Sequence, residues 1–190
     1  MTLTKHSKTW YTNQEGFTFR FEPIEDTLTI TKTPSGFEAR YLIHDADPIS
    51  PEESGDDALF LVHYHRDFEV RHDKVIEKTD VINWYAERDI PQTERYHLFP
   101  VAAYIHSGVV LALGDGRDFP DQRWDVSHVG VVLASKKEWA KESDARKAAE
   151  SLIQEWNSYL SGNVYCLVKE TYDHDKRPVD YDLVGGYSGF

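Results

Sequence analysis

The sequence predicts an α+β fold, a single domain in which a mainly antiparallel sheet packs against one long amphipathic helix. The helix is predicted at about residues 143–161, because apolar side chains recur there at helical spacing. Ser143 or Asp144 is expected to cap its start, and Gly162 is placed to end it in a left-handed turn. Apolar strand patterns flank this helix on both sides, and that order is typical of α+β folds.

The first 43 residues form a β-rich region in this prediction. Phe17, Phe19 and Phe21 alternate with polar residues, as in a half-buried strand. A second alternating pattern covers residues 27–33, and residues 37–43 are expected to form a third strand after a Pro-Ser-Gly turn. Together the three patterns predict a small meander.

The middle and the end of the chain supply the remaining elements. A shorter helix is predicted at about residues 80–89, with Pro91 marking its exit. Two strands are expected within residues 98–113, broken by a turn at residues 106–108, and another strand is expected at residues 129–134. The strand at residues 163–170 contains Cys166, the single cysteine, for which we expect a buried and unreactive position.

Composition limits the functional classes. The 190 residues carry 33 acidic and 21 basic side chains, a net charge of −12, which disfavours direct binding to nucleic acid. One cysteine excludes an intramolecular disulfide and a zinc site of several cysteines. No apolar segment is long enough to span a bilayer or to serve as a signal peptide. We therefore expect a cytoplasmic protein that needs no membrane and no cofactor.

An acidic segment at residues 44–57 is the first candidate functional surface. Pro48 and Pro51 argue against a helix through its middle, so we predict an exposed acidic loop. Further acids lie in a charged excursion at residues 172–182. The acidic residues expected to contact a basic partner protein are Asp45, Asp47, Glu52, Glu53, Asp56, Asp57, Asp173 and Asp175. The spacing does not fit a calcium loop, and no metal site is predicted.

Histidines and aspartates suggest a second possibility, a small metal-assisted hydrolase acting on nucleotides or nucleic acid. The candidate catalytic residues are His63, His65, His106, Asp125 and Asp182. His63 and His65 would point to the same side of a strand. The structural alternative places these two histidines on a polar strand face, with Asp125 capping a turn and Trp124 filling the core. The sequence leaves catalysis undecided and favours a binding protein.

An ordered series of short motifs runs from residue 41 to the carboxyl terminus. The motifs are Asp45–Pro51, His63–Arg66, His106–Gly108, Trp124-Asp125, Val129-Gly130, Tyr159–Gly162, Val164-Tyr165, Asp182 and Gly185–Gly189. This series resembles a family of uncharacterised proteins encoded by bacteriophages, prophages and conjugative elements, with residues 98–190 as the family-like core. Two motifs depart from the family pattern. Val126–His128 replaces Ser-Gly-Gln, and Val184-Gly185 replaces Cys-Trp.

The resemblance implies a mobile-element origin and, in the bacterial host cell, an accessory role. Combined with the acidic charge, it leads us to expect an anti-CRISPR-like counter-defence protein. Such a protein would act as a nucleic-acid mimic, inhibiting or modulating a host defence or nucleic-acid-handling protein through its acidic surface. The sequence does not indicate the oligomeric state.

Overall fold

The computed structural model describes residues 4–7, 10–54, 58–63, 83, 93–120 and 124–188. Its strands are β1 (Thr4–Ser7), β2 (Trp10–Thr12), β3 (Thr18–Phe19), β4 (Thr29–Thr33), β5 (Gly36–His44), β6 (Leu59–His63), β7 (Tyr96–Ile105), β8 (Val109–Leu113), β9 (Val126–Ser135), β10 (Val164–Tyr172) and β11 (Pro178–Ser188). The helices whose bounds the structure describes are α1 (Pro51–Ser54) and α2 (Glu142–Leu160), with a 3-10 turn at Glu25–Thr27. Every strand pair among the described residues is antiparallel, which confirms the predicted α+β class. The helix predicted at residues 80–89 lies outside the described residues, apart from Asn83.

Contacts within the chain divide it into two compact units. The terminal unit comprises Met1–Pro48 and Gly162–Phe190, and the central unit comprises Ile49–Ser161. The terminal unit holds a small sheet of order β1-β2-β3 and a larger sheet of order β11-β10-β5-β4. The central unit holds a sheet of order β6-β9-β7-β8 together with α1 and α2.

The core of the terminal unit is aromatic. Burial alternates strictly along β10, so one face of the sheet is covered and carries Val168 and Tyr172. Phe17 and Phe19 pack against that face, and the Phe17 and Tyr172 rings meet edge-to-face with centroids 5.2 Å apart. Gly36 is required at the start of β5, because a Cβ there would lie 2.0 Å from the carbonyl oxygen of Tyr172.

The core of the central unit forms where α2 covers its sheet. The buried helix residues are Ala145, Ala149, Leu152, Ile153 and Trp156, as the helical spacing predicted. The long helix is confirmed at Glu142–Leu160, and Gly162 does adopt a left-handed conformation with φ +73°. The predicted cap is wrong, since Lys141 occupies the cap position and its side chain makes no capping bond.

A side chain of α2 also closes the outer edge of this sheet. Strands β7 and β8 form the predicted hairpin around residues 106–108. On the far side of β8, Asn157 accepts a hydrogen bond from the Leu111 N–H at 2.7 Å and donates one to the Leu111 carbonyl at 2.9 Å. The amide thus replaces a neighbouring strand at that point.

Among the described residues, no helix combines the length and the apolar character needed to cross a membrane.

Candidate functional site

A groove of about 710 Å³ opens in the terminal unit. Its lining residues are Phe21, Glu22, Pro23, Ile24, Ile43, His44, Asp45, Ala46, Asp47, Cys166 and Leu183. They come from the loop after β3, the end of β5, the turn that follows it, β10 and β11. Most of the lining is apolar, and the polar groups concentrate in three carboxylates and one imidazole. A concave apolar site with a few convergent polar groups is the usual form of a binding site.

The turn after β5 fixes one of the three carboxylates. The Asp45 N–H donates to the Val164 carbonyl at 2.8 Å, which extends the pairing of β5 with β10. The Asp45 Oδ1 atom then accepts the N–H of Asp47 at 3.1 Å, a short aspartate turn. Asp45 is therefore held in a half-buried position, whereas Asp47 and Glu22 are exposed.

Cys166 lies at the base of the groove and is buried, as the sequence predicted. Burial raises the pKa of the Cys166 thiol, and a hydrogen bond to Asp45 raises it further. The thiol is consequently protonated at neutral pH and is a poor nucleophile. Gly185 packs closely against the same two side chains. A Cβ at this position would lie 3.1 Å from Asp45 Oδ2 and 3.3 Å from Cys166 Sγ.

The electrostatic character of the groove is acidic. Glu22, Asp45 and Asp47 line it, and the lining described in the structure contains neither lysine nor arginine. His44 contributes an exposed ring that lies against Tyr165, with centroids 5.1 Å apart. This combination suits a group with an apolar body and a positive charge, such as an arginine or lysine side chain next to an apolar residue.

The rest of the predicted acidic loop is not uniformly exposed. Residues 51–54 form α1, which begins at Pro51, a position where proline fits because its missing N–H is not needed. Glu53 is exposed, but Glu52 is only half exposed and its Oε1 atom is buried. Asp56 and Asp57 lie outside the described residues.

Asp173 and Asp175 lie in the tight turn that joins β10 to β11. Asp173 Oδ1 accepts the N–H groups of Asp175 and Arg177, at 2.9 and 2.8 Å. Asp175 is exposed and lies 3.8 Å from the Arg177 guanidinium. Asp173 thus shapes the hairpin, and the charge of Asp175 is partly balanced by a neighbouring base.

The candidate catalytic residues that the structure describes are divided between the two units. His63 is completely buried in β6, with its ring 5.7 Å from that of Trp156 on α2, so the expected polar strand face is wrong for this residue. The reason is that Leu61, on the same side of β6, already faces the helix. His65 lies outside the described residues. Asp182 lies on β11 in the terminal unit, opposite Lys169.

One pair of these candidates does come together. His106 Nδ1 lies 3.5 Å from Asp125 Oδ2, with 69% of the histidine side chain exposed. The His106 ring stacks on that of Tyr104. Trp124 is 81% exposed, which overturns the expectation that it fills the core. No group of three His, Cys, Asp or Glu side chains within the described ranges could hold a metal ion.

The sequence reasoning missed a buried carboxylate in the terminal unit. Glu170 is 2% exposed, accepts the hydroxyl of Tyr172, and accepts the Arg20 N–H at 2.9 Å. Burial, followed by the nearby Glu170, raises the pKa of both Tyr41 and Tyr172. Alternation along β10 could have revealed it, since Glu170 shares a face with Val168 and Tyr172.

Comparisons with protein-family models, with curated proteins and with solved structures found no match to this chain.

Proposed function

We propose that this chain is a mobile-element accessory protein that binds a basic protein of the bacterial host and inhibits or modulates it. The partner is a defence protein or a nucleic-acid-handling protein whose basic surface normally holds DNA or RNA. The contact surface is the acidic groove of the terminal unit. The single observation that supports this most is the meeting of three carboxylates around an apolar groove whose described lining carries neither lysine nor arginine.

The negative charge of the protein acts on a partner at two distances. At long range, the net charge of −12 attracts a basic surface and repels nucleic acid. At short range, a cationic side chain that enters the groove can bury its stem against Phe21, Ile24 and Ile43 while its head meets a carboxylate. The apolar contact adds affinity that charge alone does not provide at physiological salt.

Not every predicted acid belongs to this surface. Asp47 and Glu22 are exposed at the groove, whereas Asp45 and Asp173 are engaged in hydrogen bonds of their own turns. We therefore assign recognition to the exposed pair and a positioning role to Asp45. Glu22 enters the site only through the fold, since it lies far from the acidic segment in sequence.

The alternative function, metal-assisted hydrolysis, retains one supporting observation, the His106–Asp125 pair beside the exposed Trp124. His63, the other candidate histidine that the structure describes, is buried in the core of the central unit. The binding function uses no residue of this pair.

The test is affinity capture of host proteins on the tagged full-length chain, at low and high salt, with identification of the bound proteins by mass spectrometry. A groove-reversed variant carries Glu22→Lys and Asp47→Lys. A matched control carries Glu150→Lys and Glu155→Lys, two exposed positions on α2, so that both variants change the net charge equally.

We expect wild type and the control variant to recover the same basic protein, released by high salt, and the groove-reversed variant to lose it. Recovery of that protein by all three chains would contradict the assignment of the groove. A failure of wild type to retain any basic protein at low salt would contradict the proposed function itself.

A further inference from the structure

The outermost strand of the larger sheet in the terminal unit has an open edge. Strand β11 spans eleven residues, Pro178–Ser188, and pairs with β10 on one side. No described strand pairs with its other side. All eleven of its residues are exposed, whereas burial alternates along the neighbouring strand β10.

Proteins commonly protect such edges, because the unpaired N–H and C=O groups can pair with another chain. In the central unit the edge of β8 is closed by the Asn157 amide. Strand β11 carries no lysine, and its two pairing irregularities fall near its ends, around Gly185-Gly186 and around Val179. Between them, Asp180–Val184 pairs with β10 in an unbroken register, and the Tyr181 N–H on the other side donates to Asp180 Oδ1 at 2.8 Å. The carbonyl of an added strand would replace this carboxylate as the acceptor and release it for a basic side chain.

The side chains along this stretch divide by face. Asp180 and Asp182 lie opposite Thr171 and Lys169, on the less buried face of the sheet. Tyr181 and Leu183 lie opposite Glu170 and Val168, on the other face. A strand that pairs with this edge would therefore meet carboxylates on one face and apolar side chains on the other.

Large apolar side chains along β11 are also unusually accessible. Their exposed fractions range from 40% to 69%, and the residues are Val179, Tyr181, Leu183, Val184 and Tyr187. One of them, Leu183, also lines the acidic groove, so the strand edge and the groove adjoin. Exposed apolar residues next to unpaired backbone groups are typical of surfaces that bind extended peptides.

We propose that the open edge of β11 binds an extended segment of the partner protein in which basic and apolar residues alternate. This proposal rests on the proposed function, because the extended segment belongs to the same basic partner protein. A segment of this pattern would place its basic residues beside Asp180 and Asp182 and its apolar residues beside Tyr181 and Leu183. A second copy of this chain fits less well, because two copies of net charge −12 repel each other.

The test uses the full-length chain and a short synthetic peptide of alternating lysine and valine. A second peptide has the same side chains but carries backbone N-methyl groups on alternate residues, which remove hydrogen-bond donors and keep the charge. A third peptide replaces lysine with glutamate. Affinity is measured by calorimetry, and hydrogen exchange is followed across residues 178–188.

We expect the lysine–valine peptide to bind and to slow exchange within residues 178–188. The N-methylated peptide should bind at least about tenfold more weakly, because several backbone hydrogen bonds are lost. The glutamate peptide should not bind, and Asp180→Lys with Asp182→Lys should abolish binding of the lysine peptide. The matched control is Glu150→Lys with Glu155→Lys on α2, which has the same net charge and an intact β11. In this variant the lysine–valine peptide should bind and slow exchange within residues 178–188 as it does in wild type.

Equal binding of the N-methylated peptide, or unchanged exchange in residues 178–188, would overturn the strand-pairing proposal. Either result would leave the proposed function standing if the groove-reversed variant still loses the host protein. Concentration-dependent dimerisation that disappears with Asp180→Lys and Asp182→Lys would overturn the choice of occupant in favour of a second copy.

Discussion

At the scale of single residues, the buried Glu170 and Tyr172 pair is the feature with the clearest energetic consequence. A buried acceptor that loses its donor bears the cost of its own desolvation, about 1–3 kcal/mol. Tyr172→Phe removes the hydroxyl and keeps the ring that packs against Phe17. We expect the free energy of unfolding to fall by about 1–3 kcal/mol, measured by urea denaturation at pH 7.

The matched control is Tyr187→Phe, which removes the same atom from an exposed residue of β11. Its free energy of unfolding should stay within about 0.5 kcal/mol of wild type. If Tyr172→Phe lowers the free energy of unfolding no more than Tyr187→Phe does, the buried hydrogen bond does not stabilise the terminal unit.

The same residues predict how stability depends on alkaline pH. Burial, with Glu170 nearby, raises the pKa of Tyr41 and Tyr172 above the ordinary tyrosine value of about 10. Above that pH the unfolded chain releases protons that the folded chain retains. The stability associated with these tyrosines is therefore fully present below about pH 10 and is lost as the pH rises, by up to about 1.4 kcal/mol per unit for each tyrosine.

Urea denaturation between pH 8 and pH 11 checks this dependence. The decline for Tyr172→Phe should be shallower than that for wild type, because one of the two titrating groups is gone. If the free energy of unfolding falls equally with pH in wild type and in Tyr172→Phe, Tyr172 titrates as an exposed tyrosine does.

At the scale of elements, the close approach of β6 and β9 depends on one glycine. A Cβ at Gly130 would lie 2.3 Å from the Val62 carbonyl oxygen and 3.0 Å from the Cβ of His63, so the backbone of β6 must move to admit it. Overpacking of this kind costs about 1–3 kcal/mol or more. We expect Gly130→Ala to lower the thermal midpoint of unfolding by several degrees.

Gly108 offers the comparison, since a Cβ at this position meets no atom within 4 Å. Gly108→Ala should leave the midpoint nearly unchanged. If the two substitutions lowered the midpoint equally, the spacing of β6 and β9 would not be the limiting contact.

The secondary structure was predictable wherever one periodicity dominated. Apolar spacing located α2, and the alternation of apolar residues with threonines located β4. The burial of His63 was not predicted, because both faces of β6 are covered. The periodicity of a strand does not show whether a helix or another layer covers its second face. Prediction also failed at Trp124, where a large apolar residue is exposed.

The candidate site was predictable only in part. The acids of the turn after β5 were identified from sequence because they are close together along the chain. Glu22 and Leu183 could not be associated with them. Leu183 reaches the groove through the pairing of β11 with β10 and of β10 with β5, and Glu22 lies in the loop after β3, far from the acids in sequence. The open edge of β11 was equally hidden, because sheet order depends on these long-range pairings.

At the scale of the whole molecule, charge and shape act together in the proposed function. An acidic protein without a specific contact surface would bind any basic partner weakly and would lose it uniformly with salt. A groove with apolar walls adds contacts that persist when salt screens the charges. Binding should therefore depend on where the negative charge is located as well as on how much there is.

The most direct test of this claim is the affinity of the captured host protein for three purified chains, measured at low and at physiological salt. We expect the groove-reversed chain, Glu22→Lys with Asp47→Lys, to bind about tenfold more weakly or worse at both salt concentrations. The chain with Glu150→Lys and Glu155→Lys has the same net charge as the groove-reversed chain. It should bind nearly as tightly as wild type does at physiological salt. Equal weakening of both variants would contradict a localised site and would leave net charge as the sole determinant of binding.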